Sequence, residues 1–138
     1  MKAQSYMGWA LSGLLLVSGA QAAALKVEVA ELKNSQGKLL IAVYGSQQYL
    51  SKPLAQRRLD ASAGRMQVSL TDVPVGELAV VVIHDENDNR KLDRNDVGMP
   101  TEAYGFSNDA RGWMGPPKFD QAKVRVGETG ASIHIKLH

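Results

Sequence analysis

Apolar side chains recur at every second position in several short runs. That period of two narrows the available folds more than anything else in the chain, because it sets one face of an extended segment against a core and the other in water. Leu25, Val27 and Val29 alternate with Lys26 and Glu28, and Met66, Val68 and Leu70 alternate with Arg65, Gln67 and Ser69. Leu39, Ile41 and Val43 alternate too, but Leu40, Ala42 and Tyr44 fill the other parity, as expected of a central strand covered on both faces. Residues 78–83 are continuously apolar, the mark of the most buried strand, and they run directly into His84 and Asp85. Val124 and Val126, then Ile133, Ile135 and Leu137, flank a turn at Gly127 to Gly130 and predict a C-terminal β-hairpin. With an edge strand near residues 56–61, the pattern predicts an all-β, antiparallel two-sheet sandwich of about seven strands with one long Gly/Pro/Asx-rich loop. Residues 46–50 predict one helical turn, and nothing longer is expected to be helical.

A chain of 138 residues has room for one such domain. Its first residues read as a secretory signal: Lys2 carries positive charge, residues 9–17 are mostly apolar, and Ala20-Gln21-Ala22 is a small-x-small cleavage pattern. The expected division is a signal peptide at 1–22 and a mature domain at 23–138, periplasmic or secreted, with no membrane span once the signal is removed. Cysteine is absent, which excludes both a disulfide framework and a lipid-modified lipoprotein cysteine. The formal charge is only +2, so there is no electrostatic reason to expect nucleic acid as a partner. An envelope protein or glycan is the partner expected of an exported domain of this kind.

Between His84 and Ala122 the periodicity fades into a long segment rich in Gly, Pro, Asp and Asn. A loop of that length in a small domain is usually functional. Counting Asp85 as position one, oxygen-bearing side chains fall at position three (Asn87), five (Asn89), nine (Asp93) and twelve (Asp96), and the Lys91 carbonyl falls at position seven. This spacing is close to that of an EF-hand loop, in which a tight coil aims oxygens at one Ca²⁺ ion. Arg90 stands where such a loop has its turn glycine, Asp96 is shorter than the usual glutamate, and Arg90, Lys91 and Arg94 add positive charge. Calcium is therefore expected to bind weakly, with Kd on the order of 10⁻⁴ to 10⁻³ M. The competing reading is an Asx-rich turn whose side chains cap their own backbone.

His84, Asp85 and Glu102 together supply nitrogen and oxygen ligands for a transition metal, or an imidazole–carboxylate set for proton transfer. That is the alternative function, a transition-metal-dependent protein or enzyme. No nucleophile elbow, phosphate loop or His-x-x-x-His motif accompanies it, so the chain reads as non-catalytic. Tyr104, Phe106, Trp113 and Phe119 are expected to fold back as a lid over one open end of the sandwich. Trp113 and Met114 should be its most exposed part, and Trp113 and Tyr104 are the candidate ligand contacts.

Four stretches carry a family resemblance: His84-Asp85-Glu86-Asn87; Lys91-Leu92-Asp93; Gly98-Met99-Pro100-Thr101-Glu102-Ala103-Tyr104-Gly105-Phe106-Ser107-Asn108; and Gly115-Pro116-Pro117-Lys118-Phe119. They closely resemble the DUF2141 family of uncharacterised exported bacterial proteins, over essentially the whole mature chain. The acidic loop also looks like the calcium loops of B-type repeats in bacterial surface adhesins, and that resemblance implies a sandwich that is prealbumin-like or immunoglobulin-like. Where many of those have Asn-Gly-Asn-Gly, this chain has Asn87-Asp88-Asn89-Arg90. Together these readings imply an exported, non-catalytic β-sandwich with a calcium-binding acidic loop, acting as a recognition module at the cell envelope.

Overall fold

The computed structural model describes residues 22–138, so the expected signal segment lies outside the described residues except for Ala22. That residue begins β1 (Ala22–Leu32), which is followed by β2 (Lys38–Tyr44), β3 (Ala55–Asp60), β4 (Gly64–Pro74) and β5 (Gly76–Asp85). After a long excursion come β6 (Tyr104–Phe106), a 3-10 turn at Ser107–Asp109, a one-turn helix α1 (Phe119–Ala122), β7 (Lys123–Val126) and β8 (Ala131–Lys136). Two sheets result. One is three-stranded in the order β4-β1-β8, and the other is five-stranded, running β3-β2-β5-β6 with β7 on the same edge of β5 as β6.

The alternating residues perform as their period dictates. Leu25, Val27 and Val29 of β1 meet Leu39, Ile41 and Val43 of β2, together with Val68, Leu70, Val80, Val82 and Ile135, in one core between the sheets. Each such side chain, fully buried, contributes about 1.5–3 kcal/mol of transfer free energy. β5 has core on both sides, because its odd-numbered residues Ala79 and Val81 pack outward against Phe106 and Ala122. Tyr44, Tyr49 and Phe119 extend this outer cluster through edge-to-face ring contacts, with centroids 6.2 Å and 5.6 Å apart.

Three local expectations are corrected by this topology. The final two strands form no hairpin: β7 pairs with β5 in one sheet, and β8 pairs with β1 in the other. The turn at Gly127 to Gly130 closes only an isolated bridge and carries the chain across the sandwich, and the β1–β8 pairing is parallel in an otherwise antiparallel fold. Tyr104, Phe106 and Phe119 cover the outer face of the five-stranded sheet, and do not cap an open end. Finally, α1 is helical where none was expected, while residues 46–50 make a turn, with the N–H groups of Ser51 and Lys52 both donating to the Gln48 carbonyl at 3.0 Å. Among the described residues no helix is long and apolar enough to cross a membrane.

The turn joining β1 to β2 fixes where the long excursion begins. Gly37 there has φ +68°, and a Cβ on it would lie 2.1 Å from the Asp85 carbonyl oxygen and 2.5 Å from that of Glu86. Glycine is thus required twice, for the left-handed backbone and for the contact with the end of β5. Gly37→Ala should cost about 2–4 kcal/mol, from left-handed strain plus overpacking against immobile backbone. Gly64 (φ +90°) has open space around its Cβ position, so Gly64→Ala should cost only about 1–2 kcal/mol, the strain alone. Urea unfolding of the two variants measures the difference.

Candidate functional site

The register of β5 against β2, with Leu39 opposite His84 and Lys38 opposite Asp85, sets the first two residues of the region. Successive strand residues point to opposite faces. His84 follows Val80 and Val82 toward the core between the sheets, whereas Asp85 follows Val81 and Ile83, so the two side chains diverge. Both are fully buried. The Nε2–H of His84 donates to the Gln36 carbonyl at 2.8 Å, which makes Nδ1 the lone-pair nitrogen, and that atom has no partner among the described residues.

Asp85 turns its carboxylate back on the loop that follows it. Its Oδ1 accepts the Asn89 N–H at 3.2 Å and its Oδ2 the Arg90 N–H at 2.7 Å. The coil this closes is tight. Asp88 and Arg90 adopt φ of 57° and 67°, the left-handed conformation that glycine takes up most readily. Asp88 is anchored from outside by an ion pair with Arg58 of β3.

The side chains of Asn87 and Asn89 converge on Asp93: the Asn87 amide donates to Oδ2 at 2.6 Å and the Asn89 amide to Oδ1 at 2.5 Å. These bonds, Asn89 first, hold the Asp93 carboxyl below its ordinary value of 3.8. The Asn oxygens accept backbone N–H groups two residues on, Asn87 from Asn89 at 3.3 Å and Asn89 from Lys91 at 3.2 Å, which are long Asx-turn bonds. Asp93 thereby gathers two of the other oxygen-bearing residues, Asn87 and Asn89, with Asp85 beneath the same coil. Asp96 is not gathered in. It sits exposed on a small hairpin where Arg94 pairs with Pro100 and the Gly98 N–H closes on the Asn95 carbonyl at 2.9 Å.

Glu102 performs a task that no spacing in the sequence announces. Almost fully buried, it accepts the Glu86 N–H at 2.9 Å on one oxygen and the Asp93 N–H at 3.0 Å on the other, tying the two ends of the coil together. An open polar depression of about 360 Å³ lies alongside, bounded by Glu86, Asp93, Glu102, Asn87, Gln36 and Thr101, with no lysine or arginine in its walls. Among the described residues no three His, Cys, Asp or Glu side chains are drawn together as a metal cluster, and His84, Asp85 and Glu102 do not form one.

The most distinctive motif, Gly105-Phe106-Ser107-Asn108, is used for packing. A Cβ on Gly105 would meet Ile135 at 2.6 Å and the Lys136 carbonyl at 2.8 Å. Ser107 is buried, accepts the Val80 N–H at 2.9 Å and donates to the Ala122 carbonyl, joining β5 to α1. Asn108, at φ 63°, donates to the Lys123 carbonyl at 2.8 Å and the Gln121 carbonyl at 3.2 Å. Of the candidate ligand contacts, Tyr104 is half-buried at the edge of a second groove, and Trp113 stands 89% exposed beyond it.

A two-sheet, all-β sandwich with an Asx-rich coil at the end of its central strand is thus the class of protein the coordinates define. The family model of DUF2141, described as an uncharacterised protein conserved in bacteria, matches residues 27–134, and the chain belongs to that family. No curated protein matches the chain, and no solved structure does.

Glu102→Ala strands two backbone donors and should destabilise the fold by about 2–4 kcal/mol, while Glu102→Gln should lose roughly half as much. Equilibrium unfolding of both variants tests this. Because the folded Asp93 pKa is lowered, its stabilising effect is complete above the ordinary value of 3.8 and is lost as pH falls through the lower folded value. A carboxyl-carbon NMR titration should therefore find Asp93 ionising below 3.8, with loop amide exchange rising in the same range.

Proposed function

We propose that the protein is an exported, non-catalytic recognition module whose acidic coil takes up calcium at Asp85, Asn87, Asn89 and Asp93, with the Lys91 carbonyl as a further ligand. One observation carries this reading. Asp88 and Arg90 take up the left-handed turns that glycines supply in comparable loops, so the coil has the required backbone shape although its glycines are missing. Asn87 and Asn89 then face the Asp93 carboxylate at 2.6 and 2.5 Å. Turning the two amides over gives up their bonds to Asp93 as well as the long Asx-turn bonds, and a hard cation seated between the Oδ1 atoms and the carboxylate replaces them.

Charge favours the same reading. Asp85 and Glu102 are satisfied by backbone N–H groups, Asp93 by neutral amides, and none of the three has an ion-pair partner among the described residues. A divalent cation balances this local negative charge, while Arg90, Lys91 and Arg94 around the coil keep the affinity low. Calcium binding in turn stiffens the coil and the hairpin that follows, which present the exposed apolar residues Val97 and Met99 beside Trp113 and Met114.

Thermal melts in EDTA and in millimolar calcium test the proposal. With free calcium at about ten times Kd, linkage gives about 1.4 kcal/mol of stabilisation, a rise of several degrees in Tm. Asp93→Asn should abolish the rise. Arg90→Gly should enlarge it, because it removes an adjacent positive charge and leaves the left-handed turn unstrained. Identical melts with and without calcium for the unsubstituted chain would sink the metal and leave the coil as an Asx turn.

A further inference from the structure

We propose that the groove between the turns at 94–100 and 111–116 binds a small aromatic carboxylate, its ring among Met99, Met114, Tyr104 and Phe106 and its anion at Arg94 and Arg111. This rests on the recognition reading above but does not require calcium. The groove encloses about 380 Å³. That is within the roughly 300–1,000 Å³ of small-molecule sites, and far too little for a folded partner.

Its lining pairs an apolar floor with one sign of charge. Tyr104 and Phe106 meet edge to face with centroids 6.2 Å apart, and because Phe106 is buried it is the half-buried Tyr104 ring that a third ring can stack against. Met99 and Met114 rise on opposite sides, 61% and 91% exposed. Thioethers are polarisable and make favourable contacts with aromatic edges, so a flat ring suits this pair better than a bulky aliphatic body. Both walls are firm. The Asn95 side-chain oxygen accepts the N–H groups of Val97 at 3.1 Å and Met99 at 3.0 Å, and a Cβ on Gly112 would fall 1.9 Å from the Gly115 carbonyl, so the second turn is closed on itself. Turns tied in this way fix the backbone of both walls, which lowers the entropy cost of taking up a ligand.

Two arginines line this groove and no carboxylate does. One guanidinium N–H of Arg94 donates to the Gly98 carbonyl at 3.0 Å, which orients the group and leaves its other donors free. Arg58 pairs with Asp88 and Arg65 with Glu28, whereas Arg57, Arg90 and Arg125 enter no ion pair among the described residues. Arg94 and Arg111 enter no ion pair among the described residues, although Asp109 lies near Arg111 and accepts the Lys136 N–H at 2.9 Å. A planar guanidinium takes a carboxylate through paired N–H bonds, the fit that selects this anion.

The test is calorimetric titration of the full chain with 2-naphthoate and with its neutral counterpart 2-naphthamide, with methionine-methyl NMR as a second readout. Naphthoate should bind saturably and the amide about tenfold more weakly, and Arg94→Ala and Arg111→Ala should each cost naphthoate about tenfold. Both arginines are exposed, so the variants should fold, as circular dichroism will verify. In the unsubstituted protein the methyl signals of Met99 and Met114 should shift with naphthoate while that of Met66 stays still. Equal affinity for acid and amide, no loss in either arginine variant, or shifts that spare Met99 and Met114 would each overturn the proposal. The same titration in EDTA separates it from the calcium coil: binding that persists without calcium supports the groove whatever the coil does.

Discussion

Burial of β5 on both faces is the constraint from which the rest of the structure follows. Its inner side chains Leu78, Val80 and Val82 close the core, its outer ones Ala79 and Val81 need a cover of their own, and both edges carry partners, β2 on one side and β6 and β7 on the other. Covering the outer face takes Phe106, Phe119 and Ala122, all from the segment after residue 100. The chain must therefore leave β5, travel around the end of the sheet and return. The long excursion exists because the central strand needs a second roof, and its Gly- and Asx-rich part is the path between the two tasks.

At the start of that path the polypeptide solves an electrostatic problem in an unusual way. Two acidic side chains, Asp85 and Glu102, are withdrawn from water with no ion-pair partner among the described residues, since Lys38, opposite Asp85, turns to Asp60, and they are compensated by backbone N–H groups of the coil they enclose. A carboxylate bonded to several main-chain donors is well stabilised in its charged form. The bonds act in both directions, since they also hold the coil in turns that Asp88 and Arg90 would otherwise resist. Geometry at the coil is thus fixed by anions below it and by Asp93 across it.

The fold was legible wherever one face of a strand meets the core, because period-two alternation is a direct imprint of that contact. Partner choice leaves no such imprint. Residues 123–126 and 131–136 read as neighbours because they are close in sequence and joined by glycines, yet they belong to different sheets, a long-range outcome of which edges were still open. The site shows the same divide. Spacing picked out Asp85, Asn87, Asn89, Asp93 and Asp96, and the coordinates bring Asn87, Asn89 and Asp93 into contact but leave Asp96 apart. It could not show that Asp85 serves backbone donors, or that Glu102, far along the chain, clips the coil shut. His84 and Asp85 looked like a pair because they are adjacent, but adjacency on a strand sends side chains apart.

The parallel pairing of β1 with β8 joins the first described strand to the last. During synthesis, β1 has only one flank covered until residue 136 is available, and the three-stranded sheet stays incomplete while almost the whole chain is being made. Cooperative closure therefore comes late, because contacts of such wide sequence separation carry the loop-closure entropy of nearly the entire polypeptide. A molecule wired this way gains its three-stranded sheet in one closing step, so amides of β1 and β8 are expected to become protected together and late.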